Sequence, residues 1–322
     1  MDEYLQLLTI ERGDRHIRLR SPAKINLFLE PLRKRPDGYH EIVTVMQTID
    51  LCDEVAIELC GGADAGSEGI VVECEHPDVP AGPENLVWRA ARAFSDEKAV
   101  ESGIRVRLMK RIPVGAGLGG GSSDAAITLL GLNELAGRPL SRRRLVRLGV
   151  GLGSDVPFFL YGGTALCRGR GERVRVLKAA PPFWVVLVMP PISVSTAAVY
   201  ERLNLRLTNR HYVRRMLRSI NGSDVQELFR SLYNGLAETV FAGYPSLGSL
   251  WKEVVGEGLP YPQLSGSGST LYGVCCTEAE AAEVSLRLQR RLTGDVFVAV
   301  AMNRLAPAKE NDRWKSPKSG SA

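Results

Sequence analysis

Nowhere in the 322 residues do two cysteines stand as C-x-x-C, and no apolar run reaches the ~18 residues a membrane-spanning helix needs. The six cysteines (Cys52, Cys60, Cys74, Cys167, Cys275, Cys276) and four histidines (His16, His40, His76, His211) are scattered. That scatter gives neither a zinc-ligand spacing nor a disulfide framework, so a reducing, cytoplasmic compartment is expected. The N-terminal stretch MDEYLQLLTIERGD has acidic residues and no apolar core, unlike a secretory or transit peptide. It reads as an irregular lead-in or a short added strand. Tandem repeats are absent as well. Arginines gather at 142–147, 214–218 and 287–291, but no nucleic-acid reader motif accompanies them. These clusters read as solvated helix faces, so neither nucleic acid nor membrane is expected as a partner.

What is present begins with composition: 44% hydrophobic and 24% charged residues, net charge +5. This is an ordinary globular balance with a small cationic surplus that suits an anionic ligand. The most informative stretch is PVGAGLGGGSSDAA, Pro113 to Ala126, with five glycines in the seven positions from Gly115 to Gly121. Residues without Cβ allow close approach to a ligand, and Ser122-Ser123-Asp124 then opens a helix whose free N–H groups point back at the loop. Main chain alone can cradle phosphate in this way. The stretch lacks the Gly-Lys-Ser/Thr ending of a P-loop. It contains G-x-G-x-x-G, but no acidic residue closes a second strand as a dinucleotide site requires.

Upstream, Ile25, Leu27 and Leu29 alternate with Lys24, Asn26 and Phe28, predicting a strand with one largely buried face and Lys24 and Asn26 on the other. RPDGYHE is a turn followed by Tyr39, a stacking ring, and His40, a hydrogen-bonding ring. Asn85 is a candidate helix cap, and a strand over 103–110 leads into the glycine loop with Lys110 at its end. Asp155, in GSDVPFF, is either a helix cap or a catalytic group; the local pattern leaves both open. GGTALCRGRGERV reads as a hairpin. Helical segments are expected over 196–220, 224–241 and 245–257. A second Gly-Ser loop follows near Leu264–Ser269, then a strand, an amphipathic helix and a last strand. The polar tail is expected to be disordered.

In this order, PAKINLFLE, RPDGYHE, PVGAGLGGGSSDAA, GSDVPFF and LSGSGSTLYG resemble the GHMP small-molecule kinases, over residues of about 18 to 303. The pairing of PAKINLFL with RPDGYHE is similar to the branch that acts on a cytidyl diphosphate alcohol. The resemblance implies an α+β GHMP kinase fold: a ribosomal-protein-S5-like α/β domain over 1–177, an α+β domain over 178–304, and a tail over 305–322. It implies transfer of the γ-phosphoryl group of ATP, with Mg²⁺, to a hydroxyl of the small-molecule substrate. Asp155 would be the general base, Lys24 its neighbouring cation and Asn26 an ordering residue. Tyr39, His40 and Tyr200 would surround the cytosine. Pro113, Val114, Gly115, Ala116, Gly117, Leu118, Gly119, Gly120, Gly121, Ser122 and Ser123 would hold the triphosphate, with Ser123 near the metal. Asn85 and Lys110 would flank the nucleotide, and Gly266, Ser267 and Gly268 would close the active centre. One departure is YNGLAETV, which carries glycine and alanine where the family often has an acidic pair. A monomer or weak homodimer is expected.

Overall fold

The computed structural model describes residues 3–61, 69–98, 102–204, 211–292 and 294–302. The tail over 305–322 lies outside the described residues. Helix α1 (Glu3–Leu8) opens the chain, followed by strands β1 (Thr9–Arg12), β2 (His16–Lys34) and β3 (His40–Cys60). Next come β4 (Ile70–Cys74), α2 (Leu86–Lys98), β5 (Gly103–Met109) and α3 (Gly120–Leu135). Helices α4 (Arg142–Leu152) and α5 (Val156–Phe159) precede the hairpin β6 (Thr164–Gly169) and β7 (Arg173–Val176). The second half contains β8 (Trp184–Met189), α6 (Thr196–Glu201), α7 (His211–Asn221), α8 (Val225–Phe229) and β9 (Tyr233–Asn234). It ends with α9 (Ala237–Gly243), α10 (Pro245–Gly256), β10 (Gln263–Leu264), β11 (Leu271–Cys275), α11 (Glu278–Gln289) and β12 (Asp295–Val300).

The long antiparallel pair β2–β3 is the spine of an eight-stranded sheet, in which β1-β2-β3-β5-β4 form the main path, β6 and β7 branch from β3, and β9 adds to β2. The first half of β3 pairs with β6 and its second half with β5. The other sheet is four-stranded, β10-β11-β8-β12. The half-buried β2 expected from alternation is instead buried continuously from Ser21 to Pro31. Its two faces meet different layers, and register shifts after Pro22 and Asn26 break the alternation. Ile25, Leu27 and Phe28 share a core with Val185, Leu187, Tyr272 and Val274 of the second sheet. The two sheets are therefore joined by packed apolar surface, which burial drives.

Three segments differ from the sequence reading. The lead-in holds the expected short added strand, β1, but opens as helix α1, because Tyr4, Leu5 and Leu8 fall on one face and are buried in the first core. Burial of each contributes roughly 1.5–3 kcal/mol, enough to order so short a helix. The helix expected over 224–241 is broken by β9, which pairs parallel to β2 through Phe28↔Tyr233 and Leu29↔Asn234. Gly235 N–H donates to the Leu29 carbonyl at 2.9 Å or less (2.8 Å), so the chain turns away before α9. The helix expected over 196–220 is α6 and α7, and the stretch 205–210 between them lies outside the described residues. Among the described residues no helix is long and apolar enough to cross a membrane.

Candidate active site

Strand β5 delivers the chain to the glycine segment, and α3 receives it. The helix starts at Gly120, earlier than the serines suggested, with Gly119 left-handed at its cap (φ 75°). Ser123 N–H already bonds the Gly119 carbonyl (2.9 Å). The N–H groups of Gly120, Gly121 and Ser122, in the first turn, have no helical acceptor. They stand at the positive end of a 16-residue helix, a geometry able to receive an anion. Ala116 and Leu118 anchor the loop in the shared core, while Pro113 is half-buried and Val114 and Gly115 are exposed.

Against this loop lies the second Gly-Ser loop. A Cβ on Gly117 would stand 2.4 Å from the Ser265 carbonyl oxygen and 2.7 Å from that of Gly268, so only glycine permits the approach. Ser265 Oγ donates to the Gly117 carbonyl (3.0 Å) and Thr270 Oγ1 to the Ala116 carbonyl (2.7 Å). From the other side, Asn234 Nδ2 donates to the carbonyls of Leu264 (2.7 Å) and Gly266 (2.8 Å). Asn234 belongs to the departing YNGLAETV segment, and it holds the second loop from below. Only its Asn-Gly turn pair was visible in the sequence.

Lys24 rises from β2 beside both loops. Its Nζ donates to Asn26 Oδ1 (2.7 Å) and stands 3.8 Å from Asp155 Oδ2. Asn26 Nδ2 donates to Thr44 Oγ1 (2.9 Å), which donates to the Phe28 carbonyl (2.6 Å). Thr44 thus fixes the Asn26 amide with its oxygen toward Lys24. Sequence reasoning missed Thr44, although it shares a strand face with His40 and Ile42. Burial pulls the Lys24 ammonium below the usual lysine value, and the charge of Asp155 opposes that pull. Asp155 occupies the cap position of α5, yet its side chain makes no cap hydrogen bond. The carboxylate, 28% exposed, is left for the cleft.

That cleft is about 560 Å³ and is lined by Lys24, Asn26, Asp155, Gly117, Gly119, Gly266 and Ser267. Ser267 Oγ is 2.7 Å from Thr196 Oγ1. Tyr39, His40 and Tyr200 line it too. The rings of His40 and Tyr200 lie 5.1 Å apart, making one composite wall. Tyr39 is exposed just past the RPDG turn, which Arg35 braces through ion pairs to Asp37 (2.8 Å) and Glu41 (2.9 Å). Burial, then the charge of Lys34, lowers the His40 pKa, favouring a neutral ring near pH 7. Lys34, Arg170, Thr196 and Glu201 also line the cleft and were not singled out from sequence.

Four of the expected contact residues have partners or packing within the protein. Lys110 is buried in ion pairs with Asp53 and Asp124 (2.7 Å to the latter), so its charge is answered inside the protein, with its Nζ 3.3 Å from the Cβ position of Gly120 in the loop. Burial lowers its pKa, but the two carboxylates outweigh that and leave it above the ordinary value. Burial raises the Asp124 carboxyl to about 6, with Lys110 opposing. Asn85 caps α2: its Oδ1 accepts from Val87 N–H (2.8 Å) and its Nδ2 donates to the Pro80 carbonyl (2.6 Å). Ser123 is fully buried and accepts from Ser21 Oγ (2.8 Å), because the early helix start turns it inward. Ser122 is half-buried, and its hydroxyl lies by Gly153, close in sequence to Asp155. Gly268 packs toward Leu264, Leu247 and Val194 rather than into the cleft.

Residues 85–163 match the family described as the GHMP kinases N terminal domain. A Geobacter metallireducens protein named 4-diphosphocytidyl-2-C-methyl-D-erythritol kinase is 46% identical over 82% of this chain and 90% of its own. The chain belongs to the 4-diphosphocytidyl-2-C-methyl-D-erythritol kinase family. A second member of that family, from Geobacillus thermodenitrificans, is 43% identical over 80% of this chain and 87% of its own. A crystal structure of 4-(cytidine 5'-diphospho)-2C-methyl-D-erythritol kinase superposes with TM-score 0.71 at 31% identity, covering 89% of this chain and all of that one. Homoserine kinase from Cytophaga hutchinsonii, at 17% identity and TM-score 0.69 over 91% of this chain and 96% of its own, shares the fold. The fold is that of the GHMP kinases, and the chain is a small-molecule kinase.

Proposed function

We propose that this protein phosphorylates the 2-hydroxyl of 4-diphosphocytidyl-2-C-methyl-D-erythritol with ATP and Mg²⁺, giving the 2-phosphate and ADP for isoprenoid precursor synthesis by the non-mevalonate route. The observation that carries the reading is the Lys24–Asp155 pair, 3.8 Å apart, in one cleft with the helix α3 cradle loop and with Tyr39, His40 and Tyr200. An alcohol is a weak nucleophile. Asp155 accepts or orients its proton, and the Lys24 ammonium offsets negative charge on the reacting oxygens. The free N–H groups of Gly120, Gly121 and Ser122 fit the triphosphate, since phosphoryl transfer rests on positioning and charge compensation. Mg²⁺ would compensate phosphate charge, and Ser122 is the hydroxyl this loop offers it in place of Ser123.

Tyr39 and the His40–Tyr200 wall would take the cytosine, one by stacking and the other by hydrogen bonding. We take 1–177 and 178–304 as the two working units, with catalytic groups from the first and Gly266 and Ser267 from the second. A cytoplasmic setting suits six free thiols. The test is turnover of the purified chain with ATP, Mg²⁺ and the cytidyl substrate, with phosphorus NMR locating the new phosphate. Phosphate on the 2-hydroxyl is expected. Preference for mevalonate or homoserine would overturn the substrate, and absence of turnover with all of them would overturn catalysis.

A further inference from the structure

Arg170 sits in the turn of the β6–β7 hairpin, where sequence alone gives it the look of a surface charge. We propose that Arg170 is a specificity-determining residue, gripping the diphosphate that links cytidine to the reacting alcohol; this rests on the cytidyl reading above. Its guanidinium lies 4.6 Å from the centroid of the Tyr39 ring. The next residue, Gly171, has its Cβ position 3.5 Å from Asp155 Oδ1. Two consecutive residues therefore reach from the base wall to the carboxylate that meets the hydroxyl. A ligand with its base at Tyr39 and its alcohol at Asp155 must carry its linker past them.

Arg170 is also available. Among the described residues it forms no salt bridge, whereas Arg35, on the RPDG turn that carries Tyr39, is held by Asp37 and Glu41. The charge of Arg170 does reach Asp37, whose pKa is lowered first by its hydrogen bond to Arg35 and only lastly by Arg170. Within the cleft the Lys24 charge is answered by Asp155. A stacked guanidinium keeps its planar fork while losing little further freedom on binding, and that fork matches paired phosphate oxygens. The hairpin turn is itself pinned, since Arg170 N–H donates to Glu172 Oε2 (2.6 Å). With one ring face covered by Arg170, Tyr39 has the other for a base. Alcohols without a diphosphate would leave this cation unanswered, and discrimination against them follows.

The experiment is calorimetric binding of CDP and of cytidine, with a non-hydrolysable ATP analogue present, to wild type, Arg170→Gln and Arg170→Lys. Arg170→Gln should weaken CDP by roughly 10–100-fold, the worth of a charge-assisted contact, and cytidine by less than about 3-fold. Arg170→Lys should fall between, and raising salt should weaken CDP more in wild type than in Arg170→Gln. Equal weakening of both ligands would make Arg170 a prop for Tyr39 and overturn the proposal, as would unchanged CDP binding. In either case the cytidyl reading survives, because wild type still binds both ligands. Wild type that binds neither would overturn that reading, and the proposal with it.

Discussion

Replacing Gly117 by alanine tests whether the two glycine loops work as one surface. The new Cβ would meet the Ser265 carbonyl oxygen at 2.4 Å and the Gly268 carbonyl oxygen at 2.7 Å. Carbon–oxygen contacts settle near 3.3–3.6 Å, so the loops must part by about 1 Å. The left-handed backbone at 117 (φ 78°) adds about 1–2 kcal/mol for a residue with a Cβ. Parting also stretches the Ser265–Gly117 and Thr270–Ala116 hydrogen bonds, each worth about 0.5–1.5 kcal/mol net. Stability should fall by about 2–4 kcal/mol, lowering Tm by roughly 4–10 °C in a chain of this size. A displacement of about 1 Å at a phosphoryl-positioning loop costs on the order of 10²-fold in rate. Gly115→Ala is the control: φ is also positive (71°), but nothing lies within 4 Å of its Cβ position. It carries the backbone cost without the clash and should keep kcat/KM within about 3-fold. Steady-state kinetics in both substrates with melting curves decide it. Folded Gly117→Ala with wild-type kcat/KM, or equal losses in the two variants, would refute the loop-contact argument.

Asp155→Asn and Lys24→Met should each lower kcat by on the order of 10²-fold with little change in either KM, and the double variant should lose far less than the product of the two effects. A folded Asp155→Asn with near-normal kcat would remove the aspartate from the mechanism. The pH–rate profile should show an alkaline limb below the 10.5 of an ordinary lysine, because burial lowers the Lys24 pKa and its ammonium is lost as pH rises through that value; a limb at or above 10.5 would assign it to another group. Lys110→Met strands two buried carboxylates, Asp53 and Asp124, and should cost roughly 3–5 kcal/mol and about 6–15 °C in Tm. An unchanged melting curve would show that the ion-pair cluster does not support the loop.

The parts legible in the sequence were those whose chemistry is local. The glycine run needs backbone freedom, the RPDG turn needs its punctuation, and both stand where their residues predict. Lys24 and Asn26 could be read as neighbours on one strand face because a strand repeats every two residues. What escaped depends on distant partners. Lys110 at a strand end looks like a free cation until Asp53, on β3, and Asp124, on α3, converge on it. The serines looked like a helix cap, but Gly119 accepts the left-handed conformation and starts the helix early, which turns Ser123 onto Ser21. Asn234 and Thr44 have no signature of their own, since each acts by fixing a loop or an amide that belongs to another element. Tyr4 likewise looks like part of a loose lead-in, yet it packs closely on Gly162, beyond the α5 helix that follows Asp155.

The length of the Lys24–Asp155 contact bears on mechanism. A direct ammonium–carboxylate hydrogen bond would be about 2.7–2.9 Å, and breaking one to admit a substrate would cost part of the gain from binding. Here the ammonium gives its short bond to Asn26 (2.7 Å), which Thr44 holds in orientation, and Asp155 stays at 3.8 Å. At that separation the attraction is of order 4 kcal/mol at an effective dielectric near 20, and less with Asp155 partly open to water. It holds the two groups aimed at one point, yet no tight pair has to be pulled apart. A hydroxyl oxygen entering between them can give its proton to the carboxylate while its developing charge faces the ammonium. Removing either group therefore removes the function of both, and that is the physical basis for expecting Asp155→Asn and Lys24→Met to be non-additive.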